Sequence, residues 1–273
     1  MKHTKWIAAA CAALAFGFVA CSDGDSGDSG NNSGNETTVA ETKTAPDAVG
    51  DIVLSDGTAI SAANASKMSN EQKSKAVAVI FYVGTELNSG DDTTTSRTLG
   101  VGLAQNQSRL VWCTHSANAN NKNITSIQCT PSGEEGAYTF TGDKDGSDNL
   151  TQIGAFLTAN GSTDDTATAD NYPAFYYAKN YASQDGSHVS GTDYADGWYL
   201  PSIAELFQEW KSRETVNAAI EACGGTKFNL SERYRSSSQH ASGAPYAYTL
   251  GFDSGECDGD KLNSKYVCVV RAF

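Results

Sequence analysis

The side chains that could do chemistry in this chain are few and scattered. His115, His188 and His240 are its histidines beyond the N-terminal segment. None lies in a nucleophile-elbow sequence or beside a paired-carboxylate pattern, so each is expected at the surface and no hydrolase is indicated. No two of Cys113, Cys129, Cys223, Cys257 and Cys268 have the close spacing of a zinc-ligand set, and with four histidines in all no metal site is expected. Asp143-Lys144-Asp145-Gly146-Ser147-Asp148-Asn149 is acidic enough to suggest a calcium loop. Its glycine is fourth rather than sixth, however, and Gly154 stands where a bidentate Glu is required, so a polar turn is expected. What remains is recognition. Glu256 to Asn263 is a short polar loop of mixed residue types, and binding residues concentrate on loops carried by a rigid scaffold.

The scaffold is legible as alternating short elements. Asp51 to Thr58 predicts a strand entering a turn, and the unbroken apolar run Ala76 to Val83 predicts a buried strand. Leu99–Ala104 and Arg109–Cys113 predict a hairpin around residues 105–108. Leu150, Ile153, Phe156 and Leu157 recur at helical spacing behind a cap at Ser147 or Asp148. Pro173 predicts the first turn of a second helix running through Tyr181. Ser202-Ile203-Ala204-Glu205 is a capping box ahead of the apolar face Ile203, Leu206, Phe207 and Trp210. A further helix is expected over Thr215–Cys223, stopped by Gly224-Gly225. In Tyr248 to Phe252, alternation places Tyr248, Leu250 and Phe252 on a core face, with Thr249, Gly251, Asp253 and Ala247 on the other.

The N-terminus predicts export. Met1 to Lys5 is basic, and Trp6 to Ala20 is apolar but short for a membrane span. Phe18-Val19-Ala20-Cys21 resembles a lipobox, with lipidation at Cys21 after removal of residues 1–20. Residues 21–47 are rich in Gly, Ser, Asp, Asn and Thr and predict a flexible tether. Residues 48–273 then form one domain. Outside the cytoplasm, disulfides become an option. Cys113 and Cys129 flank one polar loop, and Cys223 with Cys268 makes a second plausible pair that leaves Cys257 free; spacing alone does not settle the connectivity. The formal net charge of −13 becomes −15 once Lys2 and Lys5 leave with residues 1–20. That balance disfavours nucleic acid and an anionic membrane surface as partners.

Gly197-Trp198-Tyr199-Leu200-Pro201, followed by Ile203-Ala204-Glu205-Leu206, resembles the signature of DUF1566-type domains. Tyr234, Ser236, Ser237, Ala247, Phe252, Gly255, Lys261, Val267, Val270 and Arg271 fall in order on that family's later positions. Arg235, Tyr248 and Cys268 depart from the pattern. The resemblance covers residues 172–273, with 48–171 as an N-terminal part like the front of treponemal lipoproteins carrying this domain. It implies an α+β chain with a C-type lectin-like fold of the formylglycine-generating-enzyme subtype and an N-terminal β-rich extension. Relatives include treponemal variable proteins rewritten by diversity-generating retroelements, whose variable segment matches residues 234–273. The implied activity is display of a ligand-binding, adhesin- or receptor-like surface on a lipid-anchored protein of the outer membrane or cell surface. The ligand is a protein or glycan on host or neighbouring cells, and the only membrane contact is the lipid anchor. On this reading Tyr246, Thr249, Asp253, Glu256, Cys257, Asp258 and Asp260 line the exposed binding face, with Arg235 and His240 at its edge. Neither cofactor nor metal is implied. Two alternatives stand beside it: a structural envelope lipoprotein without a specific ligand, and a formylglycine-generating-type enzyme using Cys257 and Cys268.

Overall fold

The computed structural model describes residues 39–273 apart from 90, 91 and 167, with the backbone but not the side chain of Gln107. The signal segment, Cys21 and the expected tether up to residue 38 lie outside the described residues. The elements are β1 (Thr42–Lys43), β2 (Ile52–Leu54), β3 (Ala59–Ile60), α1 (Asn70–Lys75), β4 (Ala76–Gly84), β5 (Arg97–Gly102), β6 (Asn106–Leu110), β7 (Cys129–Ser132), β8 (Thr139–Gly142), α2 (Asn149–Ala159), α3 (Pro173–Lys179), α4 (Ile203–Cys223), β9 (Arg233–Gln239), β10 (Ala247–Gly251), β11 (Cys257–Asp258), β12 (Lys265–Val267) and β13 (Val270–Ala272). The chain is thus mixed α+β. One sheet has six strands in the order β1-β3-β2-β4-β5-β13, a second has five in the order β11-β10-β9-β12-β6, and β7-β8 form a separate hairpin.

The unbroken apolar run is β4, and its position explains its composition. It lies between β2 and β5 and is covered on both faces. Val79 and Phe81 pack in the core that includes the α4 side chains Leu206 and Ile220. Val77 and Ile80 pack in a second core with Ile153 of α2 and Phe175 of α3. A strand buried on both sides has no solvent face to alternate with.

The C-terminal residues tie the two sheets together. β12 pairs parallel with β9, Tyr266 opposite Tyr234, and antiparallel with β6. Two residues later β13 pairs with β5 in the other sheet, Val270 opposite Val101. The expected hairpin of β5 with β6 is therefore not formed: β5 pairs with β4 and β13, whereas β6 pairs with β12.

Ser202 caps α4 as expected. Its hydroxyl accepts from the Glu205 N–H at 3.1 Å, and the Glu205 carboxylate accepts from the Ser202 N–H at 2.8 Å. The separate helix expected at Thr215 is part of the same 21-residue helix, about 31 Å long. No Gly or Pro falls inside it, and Lys211 to Glu214 is only its polar side. Gly224, at φ +81°, takes the left-handed conformation that ends the helix. Trp198 is buried, whereas Trp210 is only half-buried. The fold also starts before residue 48: Ala40 is buried, β1 pairs with β3, and Lys43 bridges Asp47 and Asp51.

The disulfide expectation is corrected as well. Cys113, Cys129, Cys223, Cys257 and Cys268 are all free thiols. Cys129 and Cys113 belong to different cores. Cys268 Sγ donates to Glu209 Oε2 at 3.0 Å, near the start of α4. Cys223 lies fourteen residues further along that helix, or about 21 Å away.

Candidate functional site

The expected binding face is carried by β9, β10 and β11. β9 is the middle strand of its sheet and buried from Tyr234 to Gln239. β10 pairs with it, and β11 forms the outer edge, Thr249 opposite Asp258 and Leu250 opposite Cys257. Both faces of β10 are covered, so all five of its residues are buried.

Two members of the expected face are consequently interior. Thr249 is fully buried, and its hydroxyl donates to the Asp258 carbonyl at 3.0 Å. Arg235 is fully buried too. Its guanidinium donates to the Asp260 carbonyl at 2.7 Å and to the Asn263 carbonyl, which pins the loop between β11 and β12. Burial lowers its pKa to about 10, opposed by the nearby Asp260 carboxylate, so the charge is kept at neutral pH.

The remaining positions do reach the surface, but at different places. Tyr246 is exposed, and half-buried His240 stands beside it with ring centroids 6.1 Å apart. His240 also packs on Tyr248 at 4.3 Å. Its Nδ1 accepts from the Ser242 N–H at 2.9 Å, which leaves the proton of the neutral ring on Nε2. Burial lowers the His240 pKa and the Asp258 carboxylate opposes it, so the imidazole is neutral at pH 7. Asp258 is exposed on the edge strand. Asp260 is half-buried and its carboxylate accepts from the Leu262 N–H at 2.6 Å. Asp253 and Glu256 are exposed in the turn at the opposite end of β10, where Glu256 pairs with Arg233. Cys257 is half-buried and burial pushes its thiol to about 12, so it is a poor nucleophile. The structure thus gathers Tyr246, His240 and Asp258 at one end of the hairpin and sets Asp253 and Glu256 apart.

A crystal structure of a fimbrial protein from Bacteroides ovatus ATCC 8483, determined at 1.85 Å resolution, is similar to this chain. The TM-score is 0.55 at 15% identity, over 83% of this chain and 49% of that one. The likeness is one of fold, and this chain spans about half the length of the fimbrial protein. No family model matches the sequence, and no curated protein matches it. Among the described residues no helix is long and apolar enough to cross a membrane, and no cluster of His, Cys, Asp and Glu could hold a metal ion.

Two charged groups whose burial the sequence did not reveal hold the structure from inside. Lys261 is fully buried, with Nζ donating to the carbonyls of Ala119 and Lys122 at 3.0 Å each and lying 4.8 Å from the Trp112 ring centre. Burial lowers its pKa to about 8. The second is Glu205. Besides closing the helix cap, its carboxylate accepts from the Tyr199 hydroxyl at 2.9 Å and the Gly146 N–H at 3.1 Å, and pairs with Arg97 at 3.2 Å. The segment 143–149 is therefore docked, not a solvated turn. Asn149 donates to the Ser237 hydroxyl at 2.7 Å, and the Ser202 hydroxyl donates to the Lys144 carbonyl at 2.6 Å. One surface feature was also missed. Tyr138 and Phe140 alternate with Thr139 and Thr141, a two-residue period that could have marked β8.

Proposed function

We propose that this chain is a cell-envelope lipoprotein, anchored through Cys21, that displays a ligand-binding surface on a C-type-lectin-like scaffold. The surface comprises Tyr246, His240 and Asp258, extended by Asp260 and, at the far end of the hairpin, Asp253 and Glu256. The observation that carries this reading is how the hairpin is held. Arg235 and Lys261 grip the loops through backbone carbonyls, so the loop path depends little on Tyr246 and Asp258. The resemblance of residues 234–273 to retroelement-diversified segments supports exchange of these side chains between versions of the protein. The fold shared with a fimbrial protein accords with surface placement. Binding is favoured over formylglycine-type catalysis because Cys268 is fully buried against Glu209 and its thiol is held far above the usual range by that burial.

The test replaces His240, Tyr246 and Asp258 together by Ala. The changes at Tyr246 and Asp258 are each expected to alter stability by no more than about 0.5 kcal/mol, and that at His240 by more because it holds the Ser242 N–H, while the variant stays folded and binding to bacterial-surface or host-cell preparations is lost. A folded variant that keeps every interaction of the parent refutes the assignment. Labelled palmitate should enter the parent protein and not Cys21→Ser; equal labelling removes the anchor.

A further inference from the structure

The turn that carries the hairpin surface is closed by a titratable group. Residues 240–246 leave β9 and return to β10 in a loop tied by three backbone bonds. The His240 N–H donates to the Tyr246 carbonyl at 3.1 Å, the Gly243 N–H to the His240 carbonyl at 3.4 Å and the Tyr246 N–H to the Gly243 carbonyl at 3.3 Å. The second half of the loop is also held from within. Fully buried Gln239 donates from Nε2 to the Gly243 and Ala244 carbonyls at 3.4 Å each, and the Lys261 N–H donates to the Pro245 carbonyl at 2.9 Å. The first half depends on a side chain. Ser242 is exposed, and its N–H donates to His240 Nδ1 at 2.9 Å. Asn and Asp commonly make this bond to the N–H two residues on, and Asn keeps its acceptor at every pH. An imidazole nitrogen accepts only while it is unprotonated.

We propose that His240 is an acid-operated latch on the hairpin surface: a proton taken up at Nδ1 breaks the bond to Ser242, the turn opens, and a ligand held by the neutral arrangement is released. Its use as a regulator rests on the ligand-binding reading of that surface; the latch itself does not. Protonation leaves two donors, Nδ1–H and the Ser242 N–H, facing one another with no acceptor between them. The Gly243, Ala244 and Pro245 carbonyls are held, so the adjustment falls on the ring and on Ala241 and Ser242. Either movement changes the spacing of His240 from Tyr246, now 6.1 Å, and from Tyr248, now 4.3 Å. The Asp258 carboxylate of β11 is the charged group that acts on the ring, and it attracts the new imidazolium. The surface thereby exchanges a neutral imidazole and a free carboxylate for an internal ion pair. Burial pushes the Tyr248 hydroxyl up to about 12, so that neighbour stays neutral throughout. Burial also lowers the His240 pKa from its ordinary 6.5, more strongly than Asp258 raises it. The bond from Ser242 acts in the same direction as burial, because it is made to the neutral ring alone.

NMR of the full chain, labelled in its histidine rings and backbone amides, tests the latch between pH 7.5 and 4.5. In the parent the His240 ring should be the Nε2–H tautomer at pH 7.5 and should titrate below 6.5, and the Ser242 amide should shift with the same midpoint. His240→Asn retains an acceptor for that N–H and has nothing to titrate, so its Ser242 amide should stay in place across the range. His240→Ala removes the acceptor, and its Ala241 to Gly243 amides should be as mobile at pH 7.5 as those of the parent at pH 4.5. The latch is overturned if the Ser242 amide does not follow His240, if it moves equally in the Asn variant, if His240 titrates at or above 6.5, or if the Ala variant keeps the closed turn. Bacterial-surface preparations that bind the parent at pH 7.5 should be held about tenfold more weakly for each pH unit below that midpoint, since only the closed fraction binds. Undiminished binding by protein whose turn has opened overturns the regulatory role. Absence of binding at pH 7.5 refutes the ligand-binding reading alone, because the amide titration reads the latch without a ligand.

Discussion

Replacing Glu205 by Gln should change how the stability of the protein depends on pH, in a predictable direction. Glu205 is fully buried at the start of α4, where its carboxylate receives the Ser202 and Gly146 N–H groups and the Tyr199 hydroxyl and faces Arg97. Burial dominates and raises its pKa from 4.5 to about 7; Arg97 opposes the rise and Asp145 adds to it. Below pH 4.5 the group is protonated whether the chain is folded or unfolded, and it contributes nothing to the pH dependence. Between pH 4.5 and 7 the unfolded chain releases the proton while the folded protein keeps it, so stability falls as pH rises and levels off above 7. At about 1.4 kcal/mol per pKa unit, the loss is on the order of 3 kcal/mol. Gln has nearly the same shape, can still accept from the Ser202 N–H, and cannot ionise. Groups common to both proteins largely cancel in the difference. Urea unfolding of parent and Glu205→Gln from pH 4.5 to 8 should therefore show the difference moving by about 3 kcal/mol in favour of Gln as pH rises. Parallel curves would mean that Glu205 ionises as freely in the fold as in water, and the reasoning from burial would fail.

Other outcomes follow from the same interior. Lys261→Met removes the donor shared by the Ala119 and Lys122 carbonyls and should cost about 2–3 kcal/mol, against at most about 0.5 for Asp258→Ala on the edge strand; equal melting temperatures would refute the buried anchor. Ser202→Ala loses a cap and leaves the Lys144 carbonyl without its donor, for about 1–2 kcal/mol in a thermal melt, and no loss would mean that the helix does not begin there. Under non-reducing conditions, denatured protein should react with iodoacetamide at Cys113, Cys129, Cys223, Cys257 and Cys268, while the native protein reacts slowly because burial pushes the thiols of Cys113, Cys129, Cys223 and Cys257 to about 12 and raises that of Cys268 well above its ordinary value. A bridged peptide in the digest would restore the disulfide expectation.

The sequence spoke clearly where structure is local. The cap at Ser202, the stop at Gly224 and the buried run of β4 each depend on residues within a few positions of one another, and all three are found. It failed where a second layer decides. Alternation correctly separates Thr249 from Leu250, yet assigning Thr249 to solvent assumed that nothing covers its face. Arg235 and Lys261 were read as an edge residue and a family position because long cationic side chains are rarely buried. What buries them is carbonyls far along the chain: Lys261 reaches Ala119, 142 residues away. The hairpin expected from β5 and β6 failed for a related reason. Nearness in sequence suggested pairing, but the C-terminal strands β12 and β13 bring a partner to each.

The way the interior charges are used bears on which outward positions can change freely. Both cations bind backbone carbonyls, which every residue type supplies, so the paths of the loops at 119–122 and 260–263 are fixed largely without reference to side chains. The outward residues differ in how far they share that work. Glu256 pairs with Arg233, the Asp260 carboxylate holds the Leu262 N–H, and His240 Nδ1 holds the Ser242 N–H. Replacing any of these removes a local support as well as a surface group. Among the described residues, Tyr246 makes no hydrogen bond through its hydroxyl, and Asp258 reaches only the next N–H, that of Gly259 at 2.6 Å. Exchange of side chains for new binding specificity should therefore be least costly at Tyr246 and Asp258, intermediate at His240, Asp260 and Glu256, and most costly at Thr249 and Arg235, where the side chain itself is the scaffold.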